Sequence, residues 1–194
     1  MEITETLAVS NRAAWRTWLM QNQSRKREIW LLLDKNPQNG RLIYLDAVEE
    51  AICFGWIDGI GKRYDDHTNA QRFTPRRRRS HWTELNKQRA RRLIRLKLMT
   101  PTGQAVLPDL TIHPVVADDI REALQAVPDA WENFQSFPDL YRRVRIGYIE
   151  EKRRDHDEFE RRLRNFIAKT QAGKMYGNWN DAGRLDPPPH KNTL

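Results

Sequence analysis

Cysteine is almost missing from this chain of 194 residues: Cys53 stands alone, which excludes an internal disulfide framework and leaves only pairing between chains. Long apolar runs are missing as well. None approaches the roughly 18 to 20 residues that a membrane-spanning helix requires. The N-terminal stretch MEITETLAVSNRAAW has neither a basic leader nor an apolar core of the kind a secretory signal carries, so none is expected. The five histidines (His67, His81, His113, His156 and His190) are dispersed and form no HExxH or Cys/His ligand set. No Walker loop is present, and Gly55, Gly59 and Gly61 lack the strand-turn-helix setting that dinucleotide binding needs. No metal and no cofactor are therefore expected. Between Ile52 and Phe54, Cys53 reads as a small buried residue, and the cytoplasm is the expected compartment.

What the chain does contain is enough apolar and aromatic matter to fold. Apolar residues make up 39%, and seven are tryptophan, which argues against disorder despite a mean hydropathy of −0.84. The length suits one large domain or two small ones. Charge is unevenly spread. Residues 76–97 hold ten bases (Arg76, Arg77, Arg78, Arg79, Lys87, Arg89, Arg91, Arg92, Arg95 and Lys97) against one acid, Glu84. That is +9 against +8 for the whole chain, so the remaining residues sum to −1. A local basic surface attracts polyanions far better than the same charge scattered.

The periodicities predict an α+β architecture. Ser10 is placed to cap a helix from Asn11 to about Gln21, with Ala14, Trp15, Trp18 and Leu19 at helical spacing. Ile29 to Asp34 is short, apolar and followed by Asn36-Pro37, which favours a buried strand. Asp46 and Glu49 read as a capping box opening a helix that ends at Gly55. Trp56–Tyr64 and Ala70–Pro75, separated by the turn-forming Asp65-Asp66-His67-Thr68-Asn69, read as an antiparallel hairpin. Ser80 is placed to cap a basic helix from His81 to about Leu98, turning Trp82, Leu85, Leu93 and Leu96 inward. Thr100-Pro101-Thr102-Gly103 breaks the pattern, and Pro108 and Pro114 bracket a linker. Beyond it Val116, Ile120 and Leu124, then Trp131 and Phe134, then Phe159, Leu163, Phe166 and Ile167 fall into helical stripes. Ser136 is expected to cap a helix with Pro138 in its first turn. The expectation is a small antiparallel sheet packed by helices over 1–108, a helical C-terminal unit over 109–172, and a flexible tail over 173–194. In that tail Trp179 is a candidate exposed anchor.

Short pieces occurring in order carry a family likeness. They are Trp30-Leu-Leu-Leu33, Ala51-Ile-Cys-Phe-Gly-Trp-Ile-Asp-Gly59, Gln71-Arg-Phe-Thr-Pro-Arg-Arg77, Ser80-His-Trp-Thr-Glu-Leu-Asn86, Leu98-Met-Thr-Pro-Thr-Gly103 and Tyr141-Arg-Arg-Val-Arg-Ile-Gly-Tyr-Ile149. Together the chain resembles the YdeI/OmpD-associated family, whose members are labelled bacteriocin-protection proteins. In that family the second piece usually has Leu where Ile52 stands here, an apolar exchange that packing tolerates. The resemblance implies protection against antibacterial peptides, and it brings no reaction and no cofactor.

Three functions remain open on the residues. The first is a non-enzymatic binding protein with a ligand surface of Asp58, Arg72, Arg76, Arg77 and Trp82, its arginines forking an anionic partner while Asp58 orients one of them. The second is a nucleic-acid binder using Arg76, Arg77, Arg78, Arg79, Lys87, Arg91 and Arg95. The third is an enzyme with a pocket around Asp58, Trp56 and Arg76. Against all three stands the plain alternative that Arg76 or Arg77 pairs with Asp58, Asp65 or Asp66 and the other bases form a solvated helix face.

Overall fold

The apolar run after Glu28 forms the middle of a sheet. A computed structural model describes residues 2–38, 40–78 and 80–185. In it the run is strand β2 (Ile29–Asp34), and its consecutive Ile29, Trp30 and Leu31 are all buried. Successive side chains of a strand point to opposite faces, so both faces are covered there. Strands β3 (Trp56–Arg63) and β4 (Thr68–Pro75) form the hairpin, and β4 pairs antiparallel with β2. Asp65 makes the turn: its Oδ1 accepts from the amides of His67 and Thr68 at 2.8 and 2.7 Å.

The order is β1-β2-β4-β3, where β1 (Thr6–Ala8) is a strand the sequence reading does not contain. It runs parallel to β2, so the sheet is mixed rather than wholly antiparallel. Three residues carry no usable alternation; the free edge of β2, not local preference, makes them a strand.

Helix α1 (Arg12–Asn22) is capped by Asn11, whose Oδ1 accepts from the Ala14 amide at 2.9 Å, one position beyond the expected Ser10. Its buried Trp15 donates to the Ala47 carbonyl at 3.1 Å and lies 5.4 Å from the Phe73 ring of β4. Helix α2 (Tyr44–Cys53) begins before Asp46, which therefore does not cap it. Asp46 instead faces Arg12 at 3.1 Å, and the buried Glu49 and Glu50 meet Arg12 as well, at 2.8 and 2.6 Å. Gly55 follows α2 with φ +72, the left-handed value that suits a helix end.

Helix α3 (Glu84–Arg95) starts later than expected. Thr83, not Ser80, caps it, its hydroxyl accepting from the Asn86 amide at 3.2 Å. Ala90 and Leu93 fill its apolar face, while Leu96 lies past its end and is 46% exposed. The expected break at residue 100 is itself a turn of helix, α4 (Pro101–Gln104), with Thr100 as its cap.

Contacts divide the chain into two units. One comprises Met1–His81 and Arg89–Pro108; the other comprises Trp82–Gln88 and the residues from Asp109 on. The second unit is helical: α5 (Asp118–Gln125), α6 (Ala130–Ser136), α7 (Asp139–Glu150) and α8 (His156–Gln171). Ile120, Leu124, Phe134, Tyr141 and Phe166 form its core. Ser136 closes α6, its hydroxyl donating to the Asn133 carbonyl at 2.8 Å, and Pro138 opens α7 in its place.

Residues 173–185, expected to belong to a flexible tail, are built into this unit. Tyr176 and Trp179 pack on its core, and Leu185 is buried. Trp179, the expected exposed anchor, meets Tyr141 edge-on at 5.8 Å. The segment holds its course through a turn in which the Asp181 amide donates to Asn178 Oδ1 at 3.0 Å, a signal without helical period. Residues 186–194 lie outside the described ones. Among the described residues no helix is long and apolar enough to cross a membrane.

Candidate functional site

The expected ligand surface is distributed by the register of the β3–β4 hairpin. Asp58 sits opposite Phe73, and Arg72 sits opposite Trp30. Directly opposed residues share a face and neighbours along a strand do not, so Asp58 and Arg72 emerge on opposite sides of the sheet. Asp58 accepts a hydrogen bond from the Tyr44 hydroxyl of α2 at 2.5 Å. Arg72 is tied to Glu28, its Nε donating at 2.8 Å. The Thr4 hydroxyl and then Arg72 hold the Glu28 carboxyl below the usual carboxylate range.

Arg76 is buried at the end of β4. Its amide donates to the Gly55 carbonyl at 2.8 Å and its Nη1 to the His81 carbonyl at 3.3 Å. Burial pulls its guanidinium down to about 10, against the nearby charge of Asp58, which pushes it up. Arg77 and Arg78 are exposed, and the Ser80 amide closes a turn on the Arg77 carbonyl at 2.9 Å. Trp82 is buried and belongs to the second unit. Asp58, Arg76 and Arg77 therefore stay in one neighbourhood of the chain, while Arg72 is on the other face and Trp82 in the other unit.

The alternative basic stripe is thinner than its sequence. Lys87 pairs with Glu84 at 2.8 Å and donates to the Ile112 carbonyl at 3.0 Å. Arg89 is buried, and Arg92 pairs with Glu49 at 2.7 Å. Arg91 is half-buried, Arg95 and Lys97 are exposed, and Arg79 lies outside the described residues. Among the described residues no group of three or more His, Cys, Asp or Glu could hold a metal.

A cleft in the second unit escaped the sequence reading. It encloses about 190 Å³ and is lined by Thr83, Glu84 and Leu85, by Val144, Arg145, Tyr148 and Glu151, and by Asn178. Arg145 is only 7% exposed. Its guanidinium lies 5.1, 5.5 and 5.9 Å from the rings of Tyr176, Tyr148 and Tyr141, and its Nη2 donates to the Asn178 carbonyl at 3.0 Å. Its Nε is buried without an acceptor. Burial pushes the hydroxyls of Tyr141 and Tyr176 above the ordinary tyrosine range, so neither supplies a phenolate counter-charge. Glu84, by contrast, is met by Lys87 at 2.8 Å, His113 at 3.4 Å and Arg143 at 3.6 Å. Tyr141, Arg145 and Tyr148 stand at i, i+4 and i+7, a one-face spacing visible in the sequence. Tyr176, Asn178 and Glu84 reach the site only through the fold.

Comparison with known proteins divides at nearly the same place as the contacts. Residues 7–106 match the family described as Domain of unknown function (DUF8412), and residues 114–173 match the family described as Bacteriocin-protection, YdeI or OmpD-Associated. No curated protein and no solved structure matches the chain. The chain belongs to the DUF8412 family through its first half and carries the bacteriocin-protection, YdeI or OmpD-associated region in its helical part.

Proposed function

We propose that this member of the DUF8412 family, which matches the bacteriocin-protection model over 114–173, is a non-enzymatic, cytoplasmic protection protein that holds an anionic partner on the exposed arginines following β4. The observation that supports this reading is how the Arg77–Arg78 loop is held. Its base is anchored by the Arg76 amide on Gly55 and the Arg76 side chain on His81, and its far end by Ser80 on Arg77. Guanidinium groups displayed from a fixed backbone lose less freedom on binding than those of a floppy run, and their forks match carboxylate, sulfate or phosphate oxygens. Arg72 and Arg76 serve the scaffold, one through Glu28 and one through its burial. Asp58, held by Tyr44, acts on the Arg76 charge from a distance. The free and buried state of Cys53 is compatible with a cytoplasmic setting.

A compact anion or a short acidic segment fits this loop better than a long nucleic acid, because Lys87 and Arg92 are already answered by Glu84 and Glu49. The test is equilibrium binding of tripolyphosphate and of a single-stranded DNA of about 20 nucleotides, at about 50 and 200 mM salt, to the parent and to a double Arg77→Ala, Arg78→Ala variant. The expected result is at least a roughly tenfold weakening of tripolyphosphate binding in the variant. Equal binding by parent and variant would sink the reading. A loss of DNA affinity of roughly a thousandfold between the two salts would favour the nucleic-acid alternative, since on a single strand that slope needs about seven phosphate contacts.

A further inference from the structure

We propose that the second unit binds a small monocarboxylate with an apolar body, its carboxylate on the guanidinium of Arg145 and its body between Leu85, Val144 and Tyr148. This site is separate from the arginine loop and does not depend on it.

Arg145 carries a charge that the fold does not answer. A buried guanidinium is costly unless it is paired. Arg145 is met by the faces of three tyrosines and by one carbonyl, and among the described residues no carboxylate stands within ion-pair distance of it. Ring faces and a carbonyl offset only part of the desolvation. Acceptors are short around it as well. Its Nε, the Tyr141 hydroxyl and the Tyr176 hydroxyl are all buried without a hydrogen-bond partner. Both hydroxyls keep their protons, because burial raises them more than the Arg145 charge lowers them. One full positive charge and three donors therefore lack what a carboxylate provides, which is negative charge on acceptor oxygens. Gly177 helps to fix the group: its backbone runs so close that a Cβ there would come within 2.8 Å of Arg145 Nη1. A guanidinium already held in place loses little freedom on binding.

The cleft beside the guanidinium sets the rest of the ligand. It encloses about 190 Å³, and Leu85, Val144 and the ring of Tyr148 give it apolar walls. That suits a short branched or aromatic acid and asks for no second polar end. Glu84 and Glu151 also line the cleft, and neither takes part. Glu84 is engaged by Lys87, His113 and Arg143, and Glu151 has Arg162 at 4.0 Å. A single negative charge matches the single charge of Arg145. A second one, as on phosphate, would face the two glutamates, and among the described lining residues there is no second cation to meet it. The same carboxylate occurs on a free organic acid and at the C-terminus of a peptide.

The test is calorimetric titration of the full chain with isocaproate and N-acetylleucine, each beside its uncharged amide, and with sodium phosphate. At least one of the two acids is expected to bind and to raise the melting temperature. Its amide, with the same body and no charge, should bind at least about tenfold more weakly, and so should phosphate. The tighter acid identifies the source, isocaproate a free acid and N-acetylleucine a peptide terminus. Two variants locate the site. Leu85 is half-buried in the cleft wall, so Leu85→Trp fills the cleft and should weaken the acid at least about tenfold, with the fold verified by its melting temperature. Arg145→Gln should weaken it as much; if that variant does not fold, Leu85→Trp and the contrast of acid with amide decide. The proposal is overturned if neither acid binds at about 10 mM, a weak-binding threshold. It is equally overturned if amide or phosphate binds as tightly as the acid, or if either variant, folded, binds the acid as the parent does.

Discussion

Cys53 shows how position alone silences a reactive side chain. It is buried in α2, and burial first, then the negative charge of Glu50, pushes its thiol up to about 12, while Arg16 acts in the opposite direction. Thiol reagents at pH 8 should therefore label it only through unfolding, at a rate that rises with urea; complete labelling within the mixing time would contradict this. The same shift has a stability consequence. Above the unfolded thiol's pKa, the unfolded chain loses a proton that the folded chain keeps, so stability falls as pH rises from about 9 towards 12. The limiting slope is about 1.4 kcal/mol per pH unit. Urea midpoints of the parent should thus fall more steeply over that range than those of Cys53→Ala; parallel curves would refute the assignment. Burial of Cys53 was legible from Ile52 and Phe54 beside it. The faces of Asp58 and Arg72 were not, because a hairpin read from sequence has no register, and one step of register moves a side chain across the sheet.

Among elements, the piece hardest to read is the one most tightly fitted. Thr100-Pro101-Thr102-Gly103 has the signature of a capped helix start, but four residues give no period and so read as a break. Its role is to close the end of α2. The Thr100 hydroxyl donates to the Cys53 carbonyl at 2.7 Å and accepts from the Gly103 amide at 3.2 Å. Gly103 lies so close that a Cβ there would come within 2.1 Å of the Cys53 carbonyl oxygen. That contact is with backbone and cannot yield by a rotamer change. Gly103→Ala should lower stability by about 2–3 kcal/mol, the range for forcing an extra carbon into a filled site. Thr100→Val, which removes both hydroxyl bonds, should cost about 1–2 kcal/mol. Urea midpoints check both; a Gly103→Ala protein as stable as the parent would mean that α4 can move away from α2. The long periodic elements, β2, the hairpin and α8, were readable because each repeats its apolar signal over several residues. β1 and α4 exist through partners distant in sequence, which no local pattern contains.

At the scale of the whole chain, charge counted along the sequence differs from charge presented by the fold. The surplus over 76–97 suggested one basic surface, yet Arg76 and Arg89 are buried and Arg92 is answered by Glu49, forty-three residues earlier in the chain. The same segment also crosses between units: Trp82–Gln88 group with the helical residues, although Pro108 and Pro114 mark the chain's visible joint. Nothing in the local pattern of α3 separates its first turn from the rest, since what separates them is the partners they meet. Within the second unit Glu84 gathers Lys87, His113 and Arg143, and Lys87 donates to the Ile112 carbonyl. A fragment of residues 109–194 would keep α5 to α8 but leave His113 and Arg143 without Glu84, and it would lack the buried Trp82. Removing a buried side chain of that size costs about 3–5 kcal/mol, a large share of the stability of a small helical unit. The fragment 109–194 should accordingly melt broadly and early, whereas 80–194 should recover a cooperative transition. Far-ultraviolet dichroism melts of the two fragments decide it. Coincident, equally cooperative transitions would show that α5 to α8 stand without the 82–88 segment, and that the joint lies where the prolines alone would put it.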